Sequence, residues 1–229
     1  MDEADRVQRR YRERDASAAL TGFWTLNNPV VLHILQERER VLLPMLSQAG
    51  VDLASASVLD VGCGMGIEFA NFQRWGATLG GLVGVDLMLP RLVAARARTG
   101  VAVVQASGAA LPCRDASFDL VCQNVVFSSI VDAGTRRATA AEMLRVLRPG
   151  GHVLWYDACR SRASDAHFRP VPRAEVLALF PGIDWTFRTL TSDVGIAARA
   201  QRLLGPGVLP VLDRLRLLRT HLLGLGRLR

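Results

Sequence analysis

Lysine is absent from this 229-residue chain, and all 28 of its basic residues are arginine. That excludes a lysine Schiff base and the lysine of a phosphate-binding P-loop. The four cysteines, Cys63, Cys113, Cys122 and Cys159, include no pair at the close spacing of a zinc site or redox dithiol. They read as free thiols of a reducing cytosol. No apolar run reaches the ~18 residues of a membrane-spanning helix, although 50% of the residues are hydrophobic and the mean hydropathy is +0.20. The start, Met1-Asp2-Glu3-Ala4-Asp5-Arg6, is charged and lacks the apolar core of a signal peptide, so a cytoplasmic location is expected. The net charge is +7, but the arginines are scattered and no basic run is interleaved with aromatics. Nucleic acid is therefore not an expected partner. No His/Asp/Glu cluster suggests a metal.

What the chain does have is Val58-Leu59-Asp60-Val61-Gly62-Cys63-Gly64-Met65-Gly66. Apolar residues run into a Gly-x-Gly-x-Gly cluster, and a helix-like stretch follows. Glycine permits a positive φ and puts no Cβ between the backbone and a ligand. Twenty positions after Gly66, the run Gly81-Leu82-Val83-Gly84-Val85 ends in Asp86. Strand, glycine turn, helix and a second strand ending in a carboxylate make a nucleotide-type site. The carboxylate can accept hydrogen bonds from both ribose hydroxyls. The spacing is not the dinucleotide form Gly-x-Gly-x-x-Gly, so the glycines alone leave a purely structural turn open.

Strands and helices alternate around this motif. Helical periodicity runs over Val30–Leu46, where Val31, Leu35, Leu42 and Leu46 share a face. Strands are expected at Ser57–Val61, Leu82–Asp86, Val101–Val104, Phe118–Asn124, His152–Asp157 and Trp185–Leu190. Helices are expected at Ile67–Trp75, Pro90–Arg98, Thr135–Leu147 and Val171–Phe180, the third stopped by Pro149-Gly150-Gly151. The pattern predicts an α/β, Rossmann-like doubly wound sheet, mostly parallel and covered on both faces. Residues 1–20 read as a charged helix, followed by a loop at 21–29. Glu68 and Glu142 read as solvated helix residues, Asp119 as the organiser of its loop, and Phe118 as core.

These residues together resemble the class I S-adenosylmethionine-dependent methyltransferases of the bacterial small-molecule type. The glycine motif, Asp86, Ala116-Ser117-Phe118-Asp119-Leu120-Val121 and Met143-Leu144-Arg145-Val146-Leu147-Arg148-Pro149-Gly150-Gly151 carry the resemblance over about residues 55–157. It implies S-adenosylmethionine as cofactor. Asp60, Gly62, Cys63, Gly64 and Gly66 would hold its methionine part, Asp86 its ribose, and Leu87 or Met88 would pack on adenine. An acid usually follows the third strand. Here the loop is Gln105-Ala106-Ser107-Gly108-Ala109, so adenine is expected to meet the Ser107 hydroxyl or backbone groups such as those of Gly108. Asn124 would lie beside the transferable methyl.

The resemblance also implies one antiparallel strand near the C-terminus, inserted between the fifth and sixth. Thr220–Leu228 would be that strand, after a helical insertion from Ala197 to Arg219 within which Val208–Leu218 is periodic. The expected layout is one methyltransferase domain: a helical lid at 1–50, a cofactor-binding core at 51–195, and the insertion with the last strand at 196–229. His221 would then start its strand near Asp157, and the pair could act as a catalytic base on an acceptor hydroxyl. His167 is the rival base; His33 and His152 read as structural. Tyr11, Arg14, Trp24, Asn27 and Asn28 are the lid residues placed to close on the site.

The expected function is methyl transfer to a small-molecule or glycan-type acceptor, at oxygen, by a monomer or homodimer. Other readings are a nicotinamide-dependent oxidoreductase, a non-catalytic cofactor-binding domain, or a peripheral membrane enzyme. The last rests on Arg214, Arg216 and Arg219 among leucines. It is not favoured over leucines that face the protein's own sheet or a dimer partner.

Overall fold

The computed structural model describes residues 2–17, 22–160 and 165–229. The first residue of the loop expected at 21–29, Thr21, lies outside them, as do the last three of the 1–20 segment. The described helices are α1 (Glu3–Asp15), α2 (Pro29–Gln48), α3 (Ile67–Arg74), α4 (Leu89–Thr99), α5 (Ala133–Val146), α6 (Arg173–Leu179), α7 (Val194–Leu204) and α8 (Leu209–Asp213). The strands are β1 (Val58–Val61), β2 (Leu82–Asp86), β3 (Ala102–Gln105), β4 (Phe118–Asn124), β5 (Leu147–Ala158), β6 (Ile183–Ser192) and β7 (Arg219–Leu228).

The strands form one sheet in the order β3-β2-β1-β4-β5-β7-β6. β1 to β5 pair in parallel, while β7 runs antiparallel to both β5 and β6. This is the expected doubly wound sheet with its one reversed strand. β1 is buried at all four positions, because helices cover both faces of a parallel sheet. On one face Leu42, Met45 and Leu46 of α2 and Phe69 and Phe72 of α3 meet Leu154, Tyr156 and Leu223. On the other, Met143 and Val146 of α5 and Val176 of α6 pack on Val153, Trp155 and Leu222. α2 starts where Asn28 Oδ1 accepts from the Val30 amide at 3.0 Å, with Pro29 in its first turn, a favourable cap and first residue.

Three expectations are corrected. β5 begins at Leu147, not His152: Leu147 pairs with Phe118, and the register shifts before Leu120 pairs with His152. Pro149 and the left-handed Gly150 (φ +77°) make the shift within the strand. Second, Val208–Leu218 is not one helix. Gly205-Pro206-Gly207 ends α7, α8 has Pro210 in its first turn and spans only Leu209–Asp213, and a separate 3-10 turn covers Arg216–Leu218. Proline and glycine cut the apolar periodicity into short pieces. The insertion also starts earlier than expected, with Asp193 capping α7 through the Ile196 amide at 3.0 Å.

Candidate active site

The glycine turn joins β1 to α3. Gly62, Gly64 and Gly66 all take left-handed φ values of +76°, +52° and +76°. A Cβ on Gly62 would lie 2.4 Å from Val126 Cγ2, and one on Gly66 would lie 3.0 Å from Ala95 Cβ. Gly62 therefore keeps room beside the end of β4, while Gly66 lets α3 approach α4. The Asp86 carboxylate accepts from the Gly64 amide at 2.9 Å and the Met88 amide at 2.8 Å. It thus fixes the turn, and a carboxylate's roughly four acceptor positions leave others for a ligand.

A cavity of about 290 Å³ opens here, at the carboxyl ends of the parallel strands. That edge is where open α/β sheets bind ligands. Of the expected cofactor residues, Gly62, Asp86, Leu87, Met88, Ser107, Gly108 and Asn124 line it. The Ser107 hydroxyl accepts from the Ala109 amide at 3.2 Å, so its O–H is left to donate. Asp60, Cys63, Gly64 and Gly66 stand outside the lining. The Cys63 side chain is buried in the core, and a Cβ on Gly84 would lie 2.7 Å from its Sγ.

Asp60 lies in a second, buried polar cluster behind the turn. With Arg38, Glu68, Asn124 and Tyr156 it borders a pocket of about 10 Å³, near the lower limit for one water. Glu68 is not the solvated residue the sequence suggests. It accepts from Arg38 Nη2 at 2.7 and 2.8 Å and from Asn124 Nδ2 at 2.7 Å. Glu142 is likewise engaged, by the Leu111 amide at 2.7 Å and by Arg145, whereas Asp119 organises its loop as expected through Ser57 and Arg148. Arg38 was missed, yet its signal was present: it occupies the apolar stripe of α2 between Leu35 and Leu42.

Burial, and then the charge of Glu68, push the Asp60 carboxyl up to about 8. Among the described residues its one hydrogen bond is from the Cys122 thiol at 3.6 Å. A folded-state pKa above the unfolded value means that the folded chain binds the extra proton. The associated stability is full below about pH 4 and lost as pH rises through about 8. The ligand-free protein should therefore lose denaturant resistance across that window. Asp60→Asn should flatten the loss; an unchanged slope in urea titrations would place Asp60 elsewhere in the titration.

The expected Asp157–His221 pair does not form. His221 lies opposite Ala158, and Asp157 lies opposite Leu222. Alternate residues face opposite sides of a strand, so the two side chains are on different faces of the sheet. His221 stacks on Tyr156, with ring centroids 5.2 Å apart, and its Nδ1 is 2.9 Å from Thr220 Oγ1. Burial, with Arg38 nearby, lowers its pKa to about 4. Asp157 accepts from the Ser128 and Ala158 amides at 3.2 and 2.8 Å, and burial raises it to about 6. Neither lines the cavity. His221→Gln should change turnover by less than about tenfold, against the 10²–10⁴ expected on losing a general base. The rival, His167, sits 3.2 Å from Arg6 Nη1 and also lies outside the lining.

The cavity's outer wall is α1, through Asp2, Glu3, Ala4, Val7 and Tyr11. Of the five expected lid residues only Tyr11 lines it; Arg14, Trp24 and Asn27 are exposed, and Asn28 caps α2. α1 has no buried residue. Polar contacts hold it: Arg91 Nε to Asp15 at 2.8 Å, Tyr11 Oη to Ser129 Oγ at 3.1 Å, and Glu3 accepting from the Val131 amide at 2.7 Å. The Arg91 guanidinium also lies 4.3 Å from the Tyr11 ring centroid. Arg91→Met removes an ion pair and a cation–π contact together, so dissociation of S-adenosylhomocysteine should accelerate about tenfold. Stopped-flow displacement would measure it, and an unchanged rate would mean that α1 does not gate release.

Fold and site together define a Rossmann-like α/β protein with a cavity at the carboxyl edge of its parallel strands. The family model "Methyltransferase domain" matches residues 59–155. The malonyl-[acyl-carrier protein] O-methyltransferase of Xylella fastidiosa is 30% identical over 87% of this chain and 72% of its own length. The O-methyltransferase resE of Aspergillus sclerotiorum is 32% identical over 59% of the chain and 51% of its own length. A solved S-adenosylmethionine-dependent methyltransferase from Thermotoga maritima superposes with a TM-score of 0.63 at 15% identity, covering 99% of both chains. The chain belongs to the class I S-adenosylmethionine-dependent methyltransferases. It spans between 43% and 72% of the length of the curated relatives it matches.

The residues present fit the family's cofactor. Gly62 leaves a space that a Cβ would disturb, Asp86 presents a fixed carboxylate to the cavity, and the buried Arg38 Nε has no hydrogen-bond partner among the described residues. No cluster of three or more His, Cys, Asp or Glu that could hold a metal ion occurs among the described residues.

Proposed function

We propose that this protein transfers the methyl group of S-adenosylmethionine to a carboxylate oxygen of a small-molecule acceptor. The observation that carries this reading is the set of ionisable groups on the cavity wall. Among the described residues, the lining has no histidine or cysteine, its acids are Asp2, Glu3 and Asp86, and its other ionisable side chains are the phenol of Tyr11 and the guanidinium of Arg91, which pairs with Asp15. Asp2 caps α1, and Asp86 holds the glycine turn. Glu3 is held below the usual carboxylate range, first by its hydrogen bond from Arg6. A weakly acidic hydroxyl would find no group poised to take its proton. A carboxylate, with a pKa of about 4, is already ionised at neutral pH and needs none.

When bound, the cofactor supplies an electrophilic sulfonium methyl. Gly62 and Asp86 would hold the donor, Ser107 and Gly108 would meet its adenine, and Asp60 with Arg38, in the cluster behind the glycine turn, would face its amino-acid end. Val125, Val126 and Ile130 form an apolar wall that strips water from an acceptor carboxylate and aligns it. The Xylella relative is named for O-methylation of malonyl-[acyl-carrier protein], and a malonyl group ends in a carboxylate.

The test uses donor labelled in its methyl group with short dicarboxylic acids, their thioesters, phenols and amines. Methyl esters release labelled methanol in mild alkali, whereas ethers and N-methyl products do not. Alkali-labile label on an acid supports the reading. Stable label on phenols or amines alone overturns it.

A further inference from the structure

Three leucines of the tail do not face the protein's own sheet. Leu203 and Leu217 are each 81% exposed and Leu204 is 73% exposed. They sit on a cap made of α7, α8 and the turn at Arg216–Leu218. The inner side of this cap packs on the start of α2 through Val30, Ala197 and Leu209. Four exposed arginines, Arg199, Arg202, Arg214 and Arg216, stand among these leucines. None of the four has a salt bridge among the described residues. From residue 194 to 218 the one acidic residue is Asp213, and it is taken by His33 at 2.6 Å and Ser192 at 3.0 Å. The cap therefore presents large apolar side chains and unneutralised positive charge together.

We propose that this cap docks on an anionic phospholipid surface. The leucines would enter the acyl boundary while the arginines meet lipid phosphates, the arrangement of interfacial amphipathic segments. Charge decides against a second copy as the occupant. A two-fold contact brings the same patch together, which would set four unpaired arginines against their counterparts. The turn at Arg216–Leu218 leads directly into β7, whose start lies beside the carboxyl end of β5. The cap thus shares the sheet edge on which the cofactor cavity opens, so docking would hold that edge toward the bilayer.

Flotation of the intact protein with two kinds of vesicle tests this. One is phosphatidylcholine alone, the other an equal mixture of phosphatidylcholine and phosphatidylglycerol. Binding is expected to the mixed vesicles only and to weaken as salt rises. Arg202→Gln with Arg216→Gln should lower partitioning about 25-fold, since each arginine near an anionic surface contributes about fivefold. Leu203→Ser with Leu217→Ser should lower it by at least about tenfold. All four side chains are exposed, and near-unchanged melting would show that the variants fold. No flotation at low salt overturns the proposal, as does flotation that both pairs leave unchanged. A dimer in solution that the leucine pair dissociates would also overturn it, and would assign the cap to a second copy.

Discussion

Replacing Asp86 by Ala is expected to weaken binding of S-adenosylhomocysteine by about 10²–10⁴-fold, on the scale of two charged hydrogen bonds at roughly 1.5–3 kcal/mol each. The effect has two parts. On the proposed reading a ribose loses its acceptor, and the glycine turn loses its anchor, because the same carboxylate accepts from the Gly64 and Met88 amides at 2.9 and 2.8 Å. Asp86→Asn separates them. An amide oxygen can still accept from one amide, but its NH₂ faces the other donor, so partial loss with retained stability is expected. Isothermal titration gives the affinity and thermal melting the stability. A variant that melts normally and binds the product as tightly as the parent would remove Asp86 from the cofactor site. Adenosine as a second ligand sharpens the reading. It carries the ribose but not the amino-acid end, so it should lose as much affinity as S-adenosylhomocysteine does.

Asp86 was legible in the sequence because everything that places it is local. An apolar run ends in an acid at a fixed distance from a glycine turn, and parallel pairing of β1 with β2 then brings the two together. The sheet was legible for a similar reason, since strands buried on both faces read as apolar runs between helices. Arg38 and Glu68 were not paired in advance. They lie on separate helices 30 residues apart, and their meeting depends on how α2 packs over α3. His221 shows another limit. Its strand and its edge were expected correctly, but whether it shares a face with Asp157 depends on register. One residue of slip moves every side chain to the other face. The tail fails for a third reason. Its leucines keep helical spacing, but Gly205-Pro206-Gly207 and Pro210 divide the segment, and the apolar stripe never forms one buried face.

Arg38→Met should cost about 3–5 kcal/mol of stability, the usual range for breaking one side of a buried ion pair. Arg38 and Glu68 side chains are 5% and 14% exposed, and removing the guanidinium leaves the Glu68 carboxylate beside Asp60 with no cation in contact. Tyr156 also loses the guanidinium that lies 5.1 Å from its ring centroid. The double change Arg38→Met with Glu68→Met should recover most of the loss, because an apolar pair of similar volume needs no charge compensation. Urea midpoints of the two variants decide it; a double variant no more stable than the single would mean that the loss comes from packing. Stability alone would not require this ion pair, so its second consequence is the informative one. The stable double variant should still bind S-adenosylhomocysteine more weakly than the parent while binding adenosine almost normally. On the proposed reading the missing groups would face the amino-acid end, while Asp86, the proposed ribose contact, is untouched. Equal losses for both ligands would instead mean that the cluster acts through the turn, by letting Asp60 and β1 shift beneath Gly62.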